Sequence, residues 1–202
     1  RMEAIAHKVT FLSPEMFRIS LTDILEDVAP ISLLHEVLSP KGFNASQIRD
    51  IFRSLSSSQS GKRFFTTEWE VLRDREYLWI QKKGSNQLIP ELIIEEIERT
   101  PSFVIPRDKH IACLDADQLI HPLTIRKWGK GDKFVPLGMN GKKKVSDYLT
   151  DKKFSLFQKE NQYVVCSGED IVWLVNERTD HRYRITDSTQ RILLIKIKKD
   201  GQ

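Results

Sequence analysis

Cysteine is nearly absent from this chain and glycine is scarce, with two and nine residues among 202. Two thiols cannot staple a fold of this size. Cys113 and Cys166 each lie in an apolar, strand-like run and read as buried, reduced thiols of a cytoplasmic protein rather than a disulfide framework. No apolar stretch approaches the ~20 residues that cross a bilayer, which excludes an inserted helix. There is no repeat and no low-complexity tract. The opening Arg1-Met2 carries no signal-peptide pattern and reads as the start of a truncated chain.

Catalytic signatures are also missing. Ser167-Gly168-Glu169-Asp170 lacks a second glycine and joins two strand-like runs, so it reads as a plain turn. Ser60-Gly61-Lys62 resembles the tail of a nucleotide-binding loop, yet Ser56 to Gln59 supply no upstream glycine, which leaves a turn before a strand. His110 and Cys113 have a metal-like spacing without a second pair. Asp180-His181 has no serine at a strained elbow to complete a triad. The expectation is a chain with no catalytic residues, no cofactor site and no metal site.

What is present is a globular composition, 40% hydrophobic and 30% charged, with a net charge of +4. The length suits one large or two small domains. After Pro30, the apolar Ile31, Leu34 and Leu38 recur at helical spacing, and Pro40 and Gly42 end the run. Asn44 or Ser46 can cap a second helix with Ile48, Ile51, Phe52 and Leu55 on one face. Trp69 to Leu72 and Tyr77 to Ile80 flank a polar Arg73-Asp74-Arg75-Glu76 turn, a β-hairpin pattern. Lys82-Lys83-Gly84-Ser85-Asn86 has linker composition.

Beyond it, β-branched or aromatic runs at 92–97, 111–114, 119–125, 163–166, 171–175, 183–185 and 192–197 alternate with turn residues, and Val145 to Leu149 reads as a short helix. The run at 92–97 could be helix instead, since Pro90 suits a first turn; β-branching favours strand. The fold class expected is α+β: a small helical domain with a β-hairpin over 1–83, then a β-rich layered domain with few helices over 86–202. Trp128 and Trp173 sit among apolar or turn-forming neighbours and read as core rather than as base-stacking platforms.

Between Arg126 and Tyr148, seven basic side chains face two carboxylates: Arg126, Lys127, Lys130, Lys133, Lys142, Lys143 and Lys144 against Asp132 and Asp147. Its glycines and Pro136 break regular structure, while Trp128 and Phe134 are placed to anchor the breaks in a core. Such a held basic loop is a docking surface for phosphate. The same string, a basic residue, Trp128, Gly131-Asp132, Pro136-Leu137-Gly138-Met139, Gly141, Lys143-Lys144 and Ser146-Asp147, resembles the C-terminal region of bacterial tRNA(Ile)-lysidine synthetases. Cys113 to Leu119, Leu149 to Lys153, Ile171 to Trp173, Arg178 to Asp180 and Thr186 to Thr189 follow the family's order. About half of the chain carries the specific likeness. Asn176 stands where the family usually has glycine, and Ser155 where proline is common.

The resemblance implies a parent enzyme, an ATP-dependent ligase with Mg, that adenylates the wobble cytidine of isoleucine tRNA and lets lysine displace AMP. The family's Ser-Gly-Gly-x-Asp-Ser loop does not occur in this chain. The implied partner is isoleucine tRNA, with lysine and ATP as partners of the parent, no membrane, and a homodimer left open. The RNA-binding residues expected are the seven cations of the loop with Arg178 and Arg182, while Asp132 fixes the loop. The competing reading is a protein-interaction or dimerisation module in which the lysines only confer solubility.

Overall fold

The computed structural model describes residues 8–57, 60–84 and 89–198. Arg1-Met2 and the Ser85-Asn86 end of the expected linker lie outside the described residues. The chain divides into two compact units, Arg1–Gln87 with Ser155–Phe157, and Leu88–Phe154 with Gln158–Gln202.

In the first unit a hairpin of β1 (Val9–Ser13) and β2 (Met16–Ser20) precedes three helices, α1 (Leu21–Leu25), α2 (Pro30–Leu38) and α3 (Ala45–Leu55). Strands β3 (Lys62–Phe65), β4 (Trp69–Asp74) and β5 (Tyr77–Lys82) follow. The strands form one antiparallel sheet in the order β1-β2-β5-β4-β3. The expected hairpin is therefore the β4–β5 pair within a larger sheet, and the unit is less helical than its sequence suggests. Strand alternation puts Phe17, Ile19, Val71, Leu78 and Ile80 into one core with Leu33, Leu34, Leu38, Ile48, Ile51 and Leu55 of the helices. Ile31, expected on the buried face of α2, is exposed, and Leu33 takes its place. Asn44 caps α3: its side chain accepts from the Gln47 backbone N–H at 3.0 Å while the Gln47 side chain accepts from the Asn44 N–H at 3.0 Å.

The second unit contains β6 (Leu92–Glu98), β7 (Ile111–Asp115), β8 (Leu123–Lys127), β9 (Lys133–Phe134) and β10 (Lys143–Lys144). Helices α4 (Val145–Asp151) and α5 (Leu156–Glu160, whose Leu156 and Phe157 belong to the first unit) come next, then β11 (Tyr163–Ser167), β12 (Asp170–Leu174), β13 (Arg178–Thr179) and β14 (Arg191–Ile197). Run 92–97 is strand. A three-stranded sheet β6-β14-β7 packs against a four-stranded sheet β13-β12-β11-β8 through Leu114, Leu193 and Ile195 on one side and Val165, Val172 and Trp173 on the other. The β11–β12 register shifts between Val165 and Cys166, so Ile171 and Leu174 face away from Val172 and Trp173. Those two residues, with Val164 and Cys166, form a second core under Phe134, Val145, Tyr148 and Leu149. The basic loop and α4 are the lid of that core.

Two expected elements differ. The run at 119–125 begins as a strand only at Leu123, because Asp115 first caps a 3-10 turn at Ala116–Gln118. The run at 183–185 is not a strand: the Asp180 side chain accepts from Arg182 N–H and closes a 3-10 turn at His181–Tyr183. Ser155 is buried just before α5. Asn176 stands at φ +59, the left-handed backbone that glycine would otherwise be needed for.

Candidate nucleic-acid interface

The basic loop runs from the end of β8 to the start of α4, and its conformation is fixed from below. Phe134 is fully buried and packs edge-to-face on Tyr148, ring centroids 5.3 Å apart. Trp128 is partly buried on the same core and donates its indole N–H to the Lys159 carbonyl. Trp173 is core. Both tryptophans are thus structural supports.

Asp132 is the hub of the first half of the loop. Its carboxylate accepts the two-pronged Arg126 guanidinium at 2.7 and 3.0 Å and the Gly129 N–H at 2.8 Å, and its carbonyl accepts from Val145 N–H at 2.9 Å. Burial works to raise the Asp132 pKa, but the Arg126 fork and the Gly129 N–H outweigh it and hold the carboxyl below its usual range. Gly131, just before Asp132, stands at φ +97, a backbone any side chain would strain.

Asp180 is the hub of the second half, and sequence reasoning did not single it out as one. Fully buried, it accepts from Val135 N–H at 2.8 Å and from Arg182 through its backbone N–H, Nε and Nη2 at 2.9, 3.0 and 2.9 Å. His181 accepts the Gly138 N–H on Nδ1 at 3.2 Å and donates its own backbone N–H to the Val135 carbonyl at 2.6 Å. The Asp-His pair therefore buckles the Pro136-Leu137-Gly138-Met139 turn to β13. The advance signals were the coincidence of Arg178-Thr179-Asp180 with the family pattern and the adjacent Asp180-His181 pair, which was read only as an incomplete triad.

These hubs divide the expected cations into two kinds. Arg126 is committed to Asp132, Arg182 bridges Asp180 and Asp170, and Lys143 pairs with Asp151 at 2.6 Å. The hydrogen bonds that Arg182 donates to Asp180, opposed by burial and aided by Asp170, push the Arg182 pKa above its ordinary value. All three are engaged by carboxylates that help hold the scaffold. Lys127 is exposed, its ammonium over the Tyr163 ring at 5.9 Å and 3.4 Å from Asn161 Oδ1. Lys142 is exposed and near enough to Asp170 to help lower that carboxyl's pKa.

Lys130, Lys133, Lys144 and Arg178 are exposed and have no ion pair among the described residues. Lys133 and Lys144 are direct partners across the β9–β10 ladder, so two like charges project from the same face. Such an arrangement costs stability unless an anion sits over it. Among the described residues there is no cluster of His, Cys, Asp and Glu able to hold a metal, and no helix is long and apolar enough to cross a membrane. Burial raises the pKa of both free thiols, Cys113 to about 11.

With the geometry in view, the sequence likeness becomes informative. Residues 13–83 match the family model of the TilS substrate binding domain. The tRNA(Ile)-lysidine synthase of Bacteroides thetaiotaomicron is 49% identical over 94% of this chain and 45% of its own length. That of Parabacteroides distasonis is 41% identical over 88% of this chain and 44% of its own. A solved TilS C-terminal domain aligns with 55% of this chain and 85% of its own, at 19% identity and a TM-score of 0.47. This α+β chain therefore corresponds to the C-terminal part of the tRNA(Ile)-lysidine synthase family. It spans a little under half the length of the curated relatives it matches.

Proposed function

We propose that this chain is the tRNA-positioning part of a tRNA(Ile)-lysidine synthase, an ATP-dependent ligase that joins lysine to the wobble cytidine of isoleucine tRNA. The observation that carries this reading is the Lys133–Lys144 pair, opposed across β9–β10 without a carboxylate and flanked by exposed Lys130. Adenylation needs a phosphate cradle that the sequence lacks, so the contribution of this region is to hold RNA for chemistry elsewhere in the protein. A-form RNA hides base edges in its deep major groove, so exposed lysines on a rigid turn read phosphates and 2′-hydroxyls by shape. Arg126, Arg182 and Lys143 serve that surface indirectly, by keeping the loop in place.

The test is a salt series. Each lysine that meets a phosphate releases counterions, contributing about 0.7 to 0.9 to the log–log slope of affinity against salt. Replacing Lys130, Lys133 and Lys144 with alanine is expected to reduce the slope for isoleucine tRNA by roughly two to three, with the thermal midpoint unchanged or raised. An unaltered slope overturns the assignment and favours a protein-interaction role. In a parallel assay the chain alone, given tRNA, ATP and lysine, is expected to make no lysidine; product formation would show that it carries its own adenylation site.

A further inference from the structure

Two cavities adjoin the basic loop in the second unit, of about 390 and 180 Å³, and share Leu137 and Arg178 in their walls. The larger reaches Ile105, Arg107 and Lys109; the smaller reaches Met139, Tyr148 and Lys152. Their charges do not cancel. Lys109 is paired with Glu177 at 2.9 Å and Lys143 with Asp151 at 2.6 Å, while the Asp108 carboxylate accepts the His110 backbone N–H at 2.9 Å. Arg107, Lys152 and Arg178 have no ion pair among the described residues. Beside them Ile105, Leu137 and Met139 are large apolar side chains left substantially exposed.

Unpaired cations next to an exposed apolar wall select a ligand with both characters. A free phosphate has no use for Leu137 and Met139, and a paired RNA helix keeps its bases stacked inside. An unpaired nucleotide satisfies both, with its ring against the apolar wall and its phosphate on a guanidinium fork. The larger cavity falls in the range of small-ligand sites, about 300 to 1,000 Å³, and the smaller is below it, suited to a single ring or phosphate. We infer that these adjacent cavities receive unstacked, single-stranded nucleotides at the end of the bound RNA helix, with Arg178 gripping the phosphate between them. This inference rests on the tRNA-positioning reading and extends it from backbone contact to capture of a single-stranded end.

The experiment compares three RNA hairpins with the same duplex: one blunt, one with about four unpaired nucleotides at the 3′ end, and one with them at the 5′ end. One extended hairpin is expected to bind about tenfold more tightly than the blunt one, the size of effect that one stacked base supplies. Lys152→Ala should abolish that gain while leaving the affinity and salt slope of the blunt hairpin as in the parent, and Arg178→Ala should weaken the extended hairpin more than the blunt one. Circular dichroism confirms folding of each variant. If all three hairpins bind alike with a strong salt slope, the cavity inference fails and the loop assignment stands. The inference also fails if Arg178→Ala weakens blunt and extended hairpins equally, since Arg178 is then a plain backbone contact. If none of the hairpins binds, both readings fall.

Discussion

Two buried or half-buried aspartates decide whether the loop exists as a surface at all. Asp180 accepts four hydrogen bonds while fully buried, so replacing it with alanine strands the Val135 N–H and leaves the Arg182 guanidinium on Asp170 alone. Breaking a buried, hydrogen-bonded charge pair in this way costs about 3–5 kcal/mol, to be read as a lower denaturant midpoint of Asp180→Ala. Asp132 makes a prediction in pH. Its folded pKa lies below the ordinary carboxylate value of about 3.9, so its stabilisation is complete above that value and is lost as pH falls below it. The stability difference between the parent and Asp132→Asn should therefore be constant from pH 7 to about 5 and shrink toward pH 3. A constant difference throughout would mean that the carboxylate charge is not what holds the loop. The basic run was legible in the sequence because charge density is a local property. Which of its cations are free was not legible, since Asp132, Asp151 and Asp180 had first to be brought beside Arg126, Lys143 and Arg182 by the fold.

At the scale of elements, the parts that could be read early are those whose signals are short-range. Helix α3 shows this: Ile48, Ile51 and Leu55 recur at helical spacing, and Asn44 and Gln47, three residues apart, close a reciprocal cap. Asn44→Ala is expected to cost about 1 kcal/mol, measured as a shift in the unfolding midpoint. The turn after β12 gives a matching test of backbone geometry. Asn176 already occupies the left-handed region, so Asn176→Gly should be near neutral, whereas a β-branched Asn176→Val should lose about 1–2 kcal/mol. Strands β1 and β2 were not legible for the opposite reason. They are five residues each, β1 is mostly exposed despite Phe11 and Leu12, and the partner that orders them, β5, lies some sixty residues further along the chain. The turn at His181–Tyr183 was missed because one carboxylate, Asp180, outweighs the strand propensity of Tyr183 and Ile185.

At the scale of the whole molecule, linker composition suggests a change of domain near residues 82–86, and the chain divides into units of Arg1–Gln87 with Ser155–Phe157 and Leu88–Phe154 with Gln158–Gln202. What composition could not show is that the first unit also takes Ser155–Phe157 from much later in the chain. Phe157 is buried with Leu72 and Trp79, beside Met16 and Tyr77, on the sheet face opposite the helical core. The Leu156 N–H donates to Asp74 at 2.9 Å, next to the β4–β5 turn. Nothing around Phe157 in the sequence advertises this, because an aromatic in a short helix reads as local core wherever its partners lie. The first unit is therefore completed by residues outside its own continuous stretch, and a fragment ending at Gln87 would leave Leu72 and Trp79 uncovered. Phe157→Ala in the full chain should cost about 3–5 kcal/mol, the usual loss on truncating a buried phenylalanine. The loss should appear as faster amide hydrogen exchange in β4 and β5, with the protection of β11 and β12 changed less. Equal acceleration in both pairs of strands would show that the two units unfold as one, whereas no acceleration in β4 and β5 would show that the first unit does not depend on Phe157.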